Sequence, residues 1–382
     1  MRVTLPAAVA LLSLTACFHD VGALTGATTT GTSGTSGDPS AATTTTATSA
    51  GSSGATDPST SVATTTDAST SGTTTATNST TDTTTGGPTT GSPEGCWGLP
   101  PYQWGGVTEI AGGGLGVHPR APRIHPDGLN LYYIATTSEG TRPYKSTRAS
   151  LDDPFLLGEV LIPWGGIDLL LDAPNLLGGE QEIILAGDVD TTPHLMISTL
   201  MDGVWPTPQV MAGPVPTVDG ESSPSVSEDG SRLLFQRYDG PVNEALQGPV
   251  ARIHEATRPI DAPPGTAYVA PTTVEIAGIT DDAYPHYVGC PTISPDGLHL
   301  LFGSTYPVVL NTKNIANALR IFSADREELD APWSAAVEIE ALTMPEVETC
   351  PSAITRDGCT LVFHTFVYGA DEYRIYLVRR SP

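Results

Sequence analysis

The stretch "PTISPDGLHLLF", residues 291–302, has the pattern of a β-hairpin. Apolar residues on either side of an Asp-Gly pair are spaced as in short strands, in which successive side chains point to opposite faces. Asp-Gly suits a tight turn, since Gly adopts positive φ freely and the Asp side chain can hydrogen-bond the backbone just beyond it. The stretch therefore predicts two antiparallel strands joined by a two-residue turn.

Nearly the same string occurs at three other places, and a degenerate copy lies in the widest gap between them. The copies are "PRIHPDGLNLYY" (122–133), "PSVSEDGSRLLF" (224–235), "SAITRDGCTLVF" (352–363) and the degenerate "PNLLGGEQEIIL" (174–185). Each has apolar residues three positions before the turn and four and six positions after it, as expected of one repeated structural unit. We interpret the turn residues as structural and not catalytic: Asp127, Gly128, Asp229, Gly230, Asp296, Gly297, Asp357 and Gly358.

Further strand-like segments fill each unit, of which "ARIHEATRP" (251–259) and "WSAAVEIEAL" (333–342) are typical. Five units of four short strands predict an all-β fold, a five-bladed β-propeller. The last unit lacks its fourth strand, whereas an extra fourth-strand copy, "WGGVTEIAGG" (104–113), precedes the first hairpin. We therefore expect residues 104–110 to complete the last blade, so that the ring is closed by an N-terminal strand and no sheet edge is left open; an incomplete sixth blade or an open sheet is the alternative.

The hairpin resembles the WD-like repeat of TolB-type bacterial propellers, which have a Pro, a Ser-Pro-Asp-Gly turn and an apolar strand. The resemblance covers most of residues 104–382 and implies the propeller fold. TolB itself has six blades and a further domain, so its role in the envelope is not carried over. The chain also resembles exported bacterial lipoproteins in which a Thr/Ser-rich tether leads into such repeats.

The first residues, "MRVTLPAAVALLSLTAC", resemble a lipoprotein signal peptide. Arg2 is followed by an apolar run that is too short to span a bilayer and that ends in a lipobox-like Leu-Thr-Ala-Cys. We predict cleavage after residue 16 and lipid modification of Cys17; an ordinary secretory signal is the alternative. The predicted location is the outer membrane or cell surface, with the lipid as the only membrane attachment.

Residues 27–93 are dominated by Thr, Ser, Gly and Ala and contain almost no large apolar side chains. Such a segment cannot bury enough surface to offset its chain entropy, which predicts disorder. The predicted organisation is thus a signal peptide (1–16), a lipidated Cys and disordered tether (17–95), and a propeller domain (96–382).

The formal net charge is −25, which makes nucleic acid and anionic lipid poor candidates as partners. Solubility alone also explains an acidic surface. Apart from Cys17, the chain has four cysteines, and an even number in an exported protein predicts two disulfides, whose pairing stays open. The candidates are Cys96, Cys290, Cys350 and Cys359. They lack the spacing of a metal site, so no metal and no cofactor is predicted.

Loops that vary in length on a rigid scaffold are where binding tends to reside. In a propeller, the loops after the second and fourth strands share one face, which we call the loop face; the Asp-Gly turns lie on the opposite turn face. Polar and aromatic residues on the predicted loop face could hold a protein, a glycan or, less directly supported, Ca²⁺; a solvated rim is the alternative. They are Asp168, Glu221, Asp281, Asp282, Tyr284, His286, Tyr287, Glu346 and Glu348.

His125 stands where the other turns have a hydroxyl residue, as in Ser227 and Ser294. We interpret it as a cap of its own turn, with a ligand-binding role at the channel as the alternative.

The sequence contains no motif of a Ser hydrolase, a zinc protease or a P-loop enzyme. The favoured function is therefore a monomeric, non-enzymatic binding or scaffold lipoprotein of the bacterial envelope. The alternative is a five-bladed glycoside hydrolase acting on an extracellular polysaccharide, which would need two carboxylates at the channel.

Overall fold

The computed structural model describes residues 95–97, 103–110, 118–138, 140–161, 175–177, 180–189, 192–217, 219–240, 242–243, 248–279, 286–307, 319–344, 347–367 and 372–380. These residues form β-strands and a single turn of 3-10 helix, Glu340–Leu342. Within them, no helix is long and apolar enough to cross a membrane. The signal peptide, the lipidation of Cys17 and the tether fall on residues outside this part of the chain and stay predictions.

The strands are short, and their apolar residues alternate or run continuously as the repeats predict. In chain order they are β1 (Thr108–Glu109), β2 (Arg120–Ile124), β3 (Asn130–Thr137), β4 (Gly140–Thr147), β5 (Glu159–Val160), β6 (Asn175–Leu177), β7 (Glu182–Val189), β8 (Thr192–Thr199), β9 (Gln209–Val210), β10 (Glu221–Val226), β11 (Arg232–Arg237), β12 (Val242–Asn243), β13 (Gly248–Pro249), β14 (Arg252–Thr257), β15 (Val269–Thr273), β16 (Val288–Ile293), β17 (His299–Ser304), β18 (Arg320–Asp325), β19 (Val337–Glu338), β20 (Val347–Ile354), β21 (Thr360–Val367) and β22 (Glu372–Arg379).

Five four-stranded antiparallel sheets form the blades of a propeller, which confirms the predicted fold. From the inner strand outward, blade 1 is β2-β3-β4-β5, blade 2 is β6-β7-β8-β9, blade 3 is β10-β11-β14-β15, and blade 4 is β16-β17-β18-β19. Blade 5 is β20-β21-β22-β1. The pair β12-β13 is a separate hairpin inserted between the second and third strands of blade 3.

The ring is closed as the sequence predicts, because β1 is the outer strand of the last blade. Thr108 pairs with Leu377 and Glu109 with Tyr376 in antiparallel register. Trp104 forms an isolated bridge with Arg380. The two ends of the folded domain therefore meet in one sheet.

A disulfide strengthens this closure. Cys96 is joined to Cys359, which follows the Asp-Gly turn of blade 5. The Cys96 N–H donates to the Asp357 carbonyl at 2.6 Å, and the Trp97 indole N–H donates to the Arg356 carbonyl at 2.9 Å. Trp97 also packs on Gly358, where a Cβ would lie 2.5 Å from its ring. The chain thus docks on the turn of blade 5 before β1 begins.

The second disulfide joins Cys290 to Cys350, which lie on the inner strands of blades 4 and 5. Together the two bonds select one of the three pairings that the sequence left open. Both link segments far apart in the chain, by 263 and 60 residues. Cross-links of such separation restrict the unfolded chain strongly.

Five apolar cores fill the five spaces between neighbouring blades. The residues four and six positions after each turn face the preceding blade, because alternate side chains of a strand share one face. These pairs are Leu131 and Tyr133 against blade 5, Ile183 and Leu185 against blade 1, Leu233 and Phe235 against blade 2, Leu300 and Phe302 against blade 3, and Leu361 and Phe363 against blade 4.

The repeated turn is longer than the predicted two residues. In blade 3 the Ser227 N–H donates to the Arg232 carbonyl at 3.0 Å, so four residues lie between these two hydrogen-bonded residues. Within it the Asp229 carboxylate accepts from the Ser227 hydroxyl at 2.6 Å and the Ser231 N–H at 2.9 Å. Gly230 has φ +70°. The Asp and the Gly thus have the structural roles expected of them, in a wider turn.

An arginine after the third strand holds this turn in three blades. Its Nε donates to the carbonyl of the turn glycine, and its guanidinium lies over an aromatic ring. The bonds are Arg148 to Gly128, Arg258 to Gly230 and Arg326 to Gly297, each 2.8 Å, with the guanidinium groups over Phe155, Tyr268 and Trp333. In blade 5, Arg380 lies over Trp104 and its Nη1 donates to the Cys96 carbonyl at 2.8 Å.

Two of these arginines also tie neighbouring blades together. Arg258 of blade 3 contacts the buried Glu182 of blade 2, with Nη2 at 2.8 Å from Oε1 and Nη1 at 3.1 Å from Oε2. Arg326 of blade 4 contacts Glu255 of blade 3 at 3.0 and 3.1 Å. Because these groups are shielded from water, breaking one pair leaves a buried charge uncompensated.

Deletion of the closing strand should destabilise the ring. We compare a chain that begins at Gly95 with one that begins at Gly114, which lacks both β1 and Cys96. The shorter chain should melt well below the longer one, because the edge of blade 5 is exposed and a disulfide is lost, a loss worth about 2–5 kcal/mol by itself. The measurement is a thermal melt. Cys96→Ser with Cys359→Ser in the longer chain separates the two effects. Equal melting temperatures for the Gly95 and Gly114 chains would contradict the closure.

Arg258→Met should lower the free energy of unfolding by about 3–5 kcal/mol, because Glu182 then carries a buried, uncompensated charge. Denaturant titration measures this. The matched control is Arg379→Gln, whose pair with the exposed Asp152, at 3.0 Å, is worth only about 0–1 kcal/mol. Adding Glu182→Gln to Arg258→Met should recover part of the loss. An Arg258→Met variant no less stable than Arg379→Gln would disprove the assignment.

Candidate functional site

The predicted loop-face residues divide into those that the structure describes and those that it does not. Glu221, His286, Tyr287 and Glu348 lie in the described part of the chain. The other five lie outside the described residues, so their place on the loop face stays a prediction: Asp168, Asp281, Asp282, Tyr284 and Glu346.

Glu221 is a structural residue at the start of the inner strand of blade 3. Its side chain is fully buried. The carboxylate accepts from the Thr217 N–H at 2.7 Å and from the Thr217 hydroxyl at 2.6 Å. His194 Nδ1 lies 3.2 Å from Oε2, and Arg237 Nε lies 3.4 Å from Oε1. The carboxylate thus holds the incoming loop and is neutralised by its neighbours, rather than facing solvent at the rim.

Tyr287 and Glu348 are likewise buried. The Tyr287 hydroxyl donates to Gln236 Oε1 at 2.6 Å, and the same oxygen accepts the Cys290 N–H at 3.1 Å. Tyr287 thus belongs to a buried polar network beside the Cys290–Cys350 disulfide. His286 packs edge-on against Tyr306, with ring centroids 5.3 Å apart.

A contact between a buried histidine and an aspartate on blade 3 was not recognised from the sequence. His254 Nε2 lies 2.9 Å from Asp239 Oδ2, and the His254 side chain is 4 % exposed. Burial raises the pKa of Asp239, but the His254 contact and the nearby Arg237 and Arg252 outweigh burial, so this pKa lies below its usual value. The two residues come from β14 and from the loop after β11, and no sequence pattern links them.

Within the described part of the chain, one cavity lies at the turn face. It has a volume of about 280 Å³ and occupies the turn-face end of the central channel. Its lining includes five aliphatic residues, one from each inner strand and each three positions before the turn residue; their side chains also pack in the cores between the blades. This aliphatic ring consists of Ile124, Leu176, Val226, Ile293 and Ile354.

Arg123 crosses the channel next to this aliphatic ring. It extends from the inner strand of blade 1, and its side chain is 7 % exposed. Nη2 donates to the Pro224 carbonyl of blade 3 at 2.6 Å, and Nη1 donates to the Ser352 carbonyl of blade 5. Asn175 of blade 2 also donates to the Pro224 carbonyl, at 2.9 Å. Arg123 therefore links three blades and forms a polar floor beneath the cavity.

The turn residues that precede Asp and Gly surround the mouth of the cavity. Pro126, Glu228 and Pro295 line it from blades 1, 3 and 4. Arg356 from the turn of blade 5 forms a bidentate ion pair with Glu228, one bond of which, Nε to Oε2, is 2.8 Å. Both side chains are largely exposed. Blades 3 and 5 are not neighbours, so the pair extends across the mouth.

One wall of the cavity carries a polar cluster between blades 1 and 2. Glu180 Oε1 accepts from the Tyr132 hydroxyl at 2.7 Å and from Lys145 Nζ at 2.9 Å. Burial raises the pKa of Glu180, but these two hydrogen bonds more than offset burial, and the pKa is lowered. Burial and the Glu180 carboxylate raise the pKa of Tyr132. His125 lies alongside, with Nδ1 at 2.9 Å from its own turn's Asp127 Oδ1. His125 therefore caps its turn and also lines the channel.

Among the described residues, no group of three His, Cys, Asp or Glu side chains is placed to hold a metal ion. Most carboxylates on which a Ca²⁺ site was considered lie outside that part of the chain.

No protein-family model and no curated protein matches the sequence. Among solved structures, the chain is similar to TolB from Acinetobacter baumannii (11 % identity, TM-score 0.41), covering 69 % of this chain and 55 % of that one. It is also similar to an α-L-arabinofuranosidase from Podospora anserina (15 %, TM-score 0.45, covering 74 % and 98 %) and an endo-arabinase from Bacteroides thetaiotaomicron (15 %, TM-score 0.45, covering 70 % and 95 %). Structural similarities at such low sequence identity and TM-score do not support an argument about function.

Proposed function

We propose that this chain is an exported, non-enzymatic binding propeller, held at the bacterial surface by a lipid on Cys17 and a disordered tether. Its ligand is a protein or a glycan of the envelope, bound at the loop face. The closed, disulfide-linked ring supports this proposal, because a rigid scaffold presents variable loops at low entropic cost.

The burial of Glu221 is the observation that favours binding over hydrolysis. A glycoside hydrolase needs two carboxyl groups that reach the substrate, one as acid and one as base or nucleophile. Glu221 is instead surrounded by Thr217, His194 and Arg237, and Glu348 is buried as well. Glu221, one of the predicted loop-face carboxylates, thus has structural surroundings.

A panel of aryl-glycosides and polysaccharides tests the choice between the two functions. The full chain should give no turnover above the buffer rate and should bind an envelope glycan or protein saturably. The variants Asp282→Asn and Glu221→Gln provide the controls. Turnover that is abolished by Asp282→Asn would establish the hydrolase and refute the proposal.

The anchor has its own test. Cys17→Ala should release the protein from the membrane fraction or block its maturation, because a lipid on this cysteine is the proposed membrane attachment. Fractionation of cells after a high-salt wash measures this. The control is Cys290→Ala with Cys350→Ala, which removes a disulfide and leaves the lipobox intact. A Cys17→Ala variant that stays with membranes would refute the anchor.

A further inference from the structure

The blades differ in how their outer edges are protected. The outer strand of a sheet pairs with another chain unless proline, charge or short length prevents it. Blade 2 has Pro206 and Pro208 just before its outer strand, and blade 3 has Pro271 within it. Blades 4 and 5 have mostly small residues there, "SAAVE" (334–338) and "GGVTE" (105–109). The outer segment of blade 1, "FLLGEVL" (155–161), has no proline and a single charge.

The apolar residues of this segment are exposed to solvent. Leu156 and Leu157 are 62 % and 71 % exposed, and Val160 is 41 % exposed. Blade 2 also exposes Met201 and Val204, but these lie in a tight turn and bond to each other through their backbones. The outer strands of blades 2, 3 and 4 have one exposed large apolar residue each, namely Val210, Val269 and Val337. A contiguous apolar surface such as that of blade 1 is typical of an interaction site.

The segment is held in extended form on one side only. The Leu156 N–H donates to the Thr147 carbonyl and the Leu161 N–H to the Pro143 carbonyl, both at 2.9 Å, which aligns the segment with β4. Among the described residues, β5 is the last strand of its sheet. Because backbone groups alternate in direction along a strand, those between the bonded residues point away from the blade. They provide donors and acceptors for a further strand.

A groove of about 330 Å³ lies along this edge. The apolar side chains of the outer segment line it, together with Glu159 and Lys145. Lys145 is opposite Glu159 in the sheet, but its Nζ is bound by Glu180 of blade 2 at 2.9 Å. A chain that enters the groove therefore meets the exposed carboxylate of Glu159, and it gains most if it carries a cation at that point.

The charges also decide between a second copy of this chain and a different partner. Two copies, each with a formal net charge of −25, repel each other, and pairing edge to edge would bring two Glu159 carboxylates into one interface. A partner strand with Lys or Arg opposite Glu159 is attracted instead. Apolar residues two positions on either side of that cation lie on the same face of the strand and reach the apolar side chains of the groove.

We propose that the outer edge of blade 1 binds an extended, apolar segment of another protein that carries one Lys or Arg. The segment pairs along β5 as a fifth strand and places its cation opposite Glu159. In strand addition of this kind, main-chain hydrogen bonds provide affinity and alternate side chains provide specificity. The edge lies on the rim of the ring, so the proposal does not depend on a ligand at the loop face.

Calorimetric titration of the full chain with two peptides tests this proposal. Acetyl-Thr-Val-Thr-Lys-Thr-Val-Thr-amide has the proposed pattern, and the same peptide with Glu in place of Lys is its control. The Lys peptide should bind about 2- to 30-fold more tightly, because opposite charges on neighbouring strands attract and like charges repel. Glu159→Lys should reverse this preference, which a loss of folding does not do.

Two further comparisons test the strand pairing and the apolar contact. Methylating the odd-numbered amides of the Lys peptide, or only the even-numbered ones, should abolish binding in one case and not in the other, because alternate amides face β5. Leu157→Thr should weaken binding of the Lys peptide by about three- to tenfold. Val337→Lys, at the exposed outer strand of blade 4, is the matched control and should leave it unchanged.

Three results of the titrations would each overturn the proposal: equal binding of the two peptides, no binding of the Lys peptide at millimolar concentration, or an unreversed preference in the folded Glu159→Lys variant. Sedimentation of the full chain tests the other occupant. A dimer that Leu157→Thr abolishes and Val337→Lys preserves would assign the edge to a second copy and also overturn the proposal. A monomer at all concentrations is the expected result.

Discussion

The pairing of β1 with β22 is the contact on which the rest of the structure depends. Each blade buries its two faces only because a neighbour covers each of them, and the ring offers two neighbours to every blade only when it is closed. The core between blades 5 and 1 includes Ile110, next to the closing strand. Since β1 spans only two residues, its pairing with β22 is reinforced by Trp104, by the docking of Trp97 and by the Cys96–Cys359 bond. The start of the domain is thereby held at two places on blade 5.

Within the ring, the repeated turn has a role beyond reversing the chain. Its Asp and Gly fix the backbone, and the turn carbonyl then binds the arginine that follows the third strand. The same arginine lies over an aromatic ring and, in blades 3 and 4, pairs with a carboxylate of the preceding blade. The conformation of the turn within a blade and the contact with the preceding blade therefore depend on the same arginine. Blade 2 has Leu200 at this position and a turn without the Asp, which is consistent with its poor match to the repeat.

The residues that recur in every blade form the scaffold of the propeller. The residues that depart from the repeat supply most of the polar groups of the central channel. At the loop face, Glu221 and Tyr287 support the loops from beneath, where they are buried. At the turn face, His125, Tyr132 and Glu180 occupy positions that the other blades fill with structural residues, and they meet beside Arg123. The central channel therefore has distinct chemistry at its turn-face end, surrounded by one aliphatic residue from each blade.

The sequence by itself determined the propeller, the five blades and the strand that closes them. These features follow from apolar spacing within segments of about a dozen residues and from a count of such segments, and both are local properties. Only the tertiary structure decided which cysteines pair, that Glu221 is buried, and that the cavity lies at the turn face. An arginine was visible at the end of four third-strand copies, but in the three blades where it binds the turn, its partner carbonyl lies 20 to 29 positions earlier in the chain. Arg123 reaches Pro224 and Ser352, which are 101 and 229 positions away, because ring closure brings blades 1, 3 and 5 around one axis. Contacts across a ring depend on its curvature and closure, and no local pattern of residues encodes either.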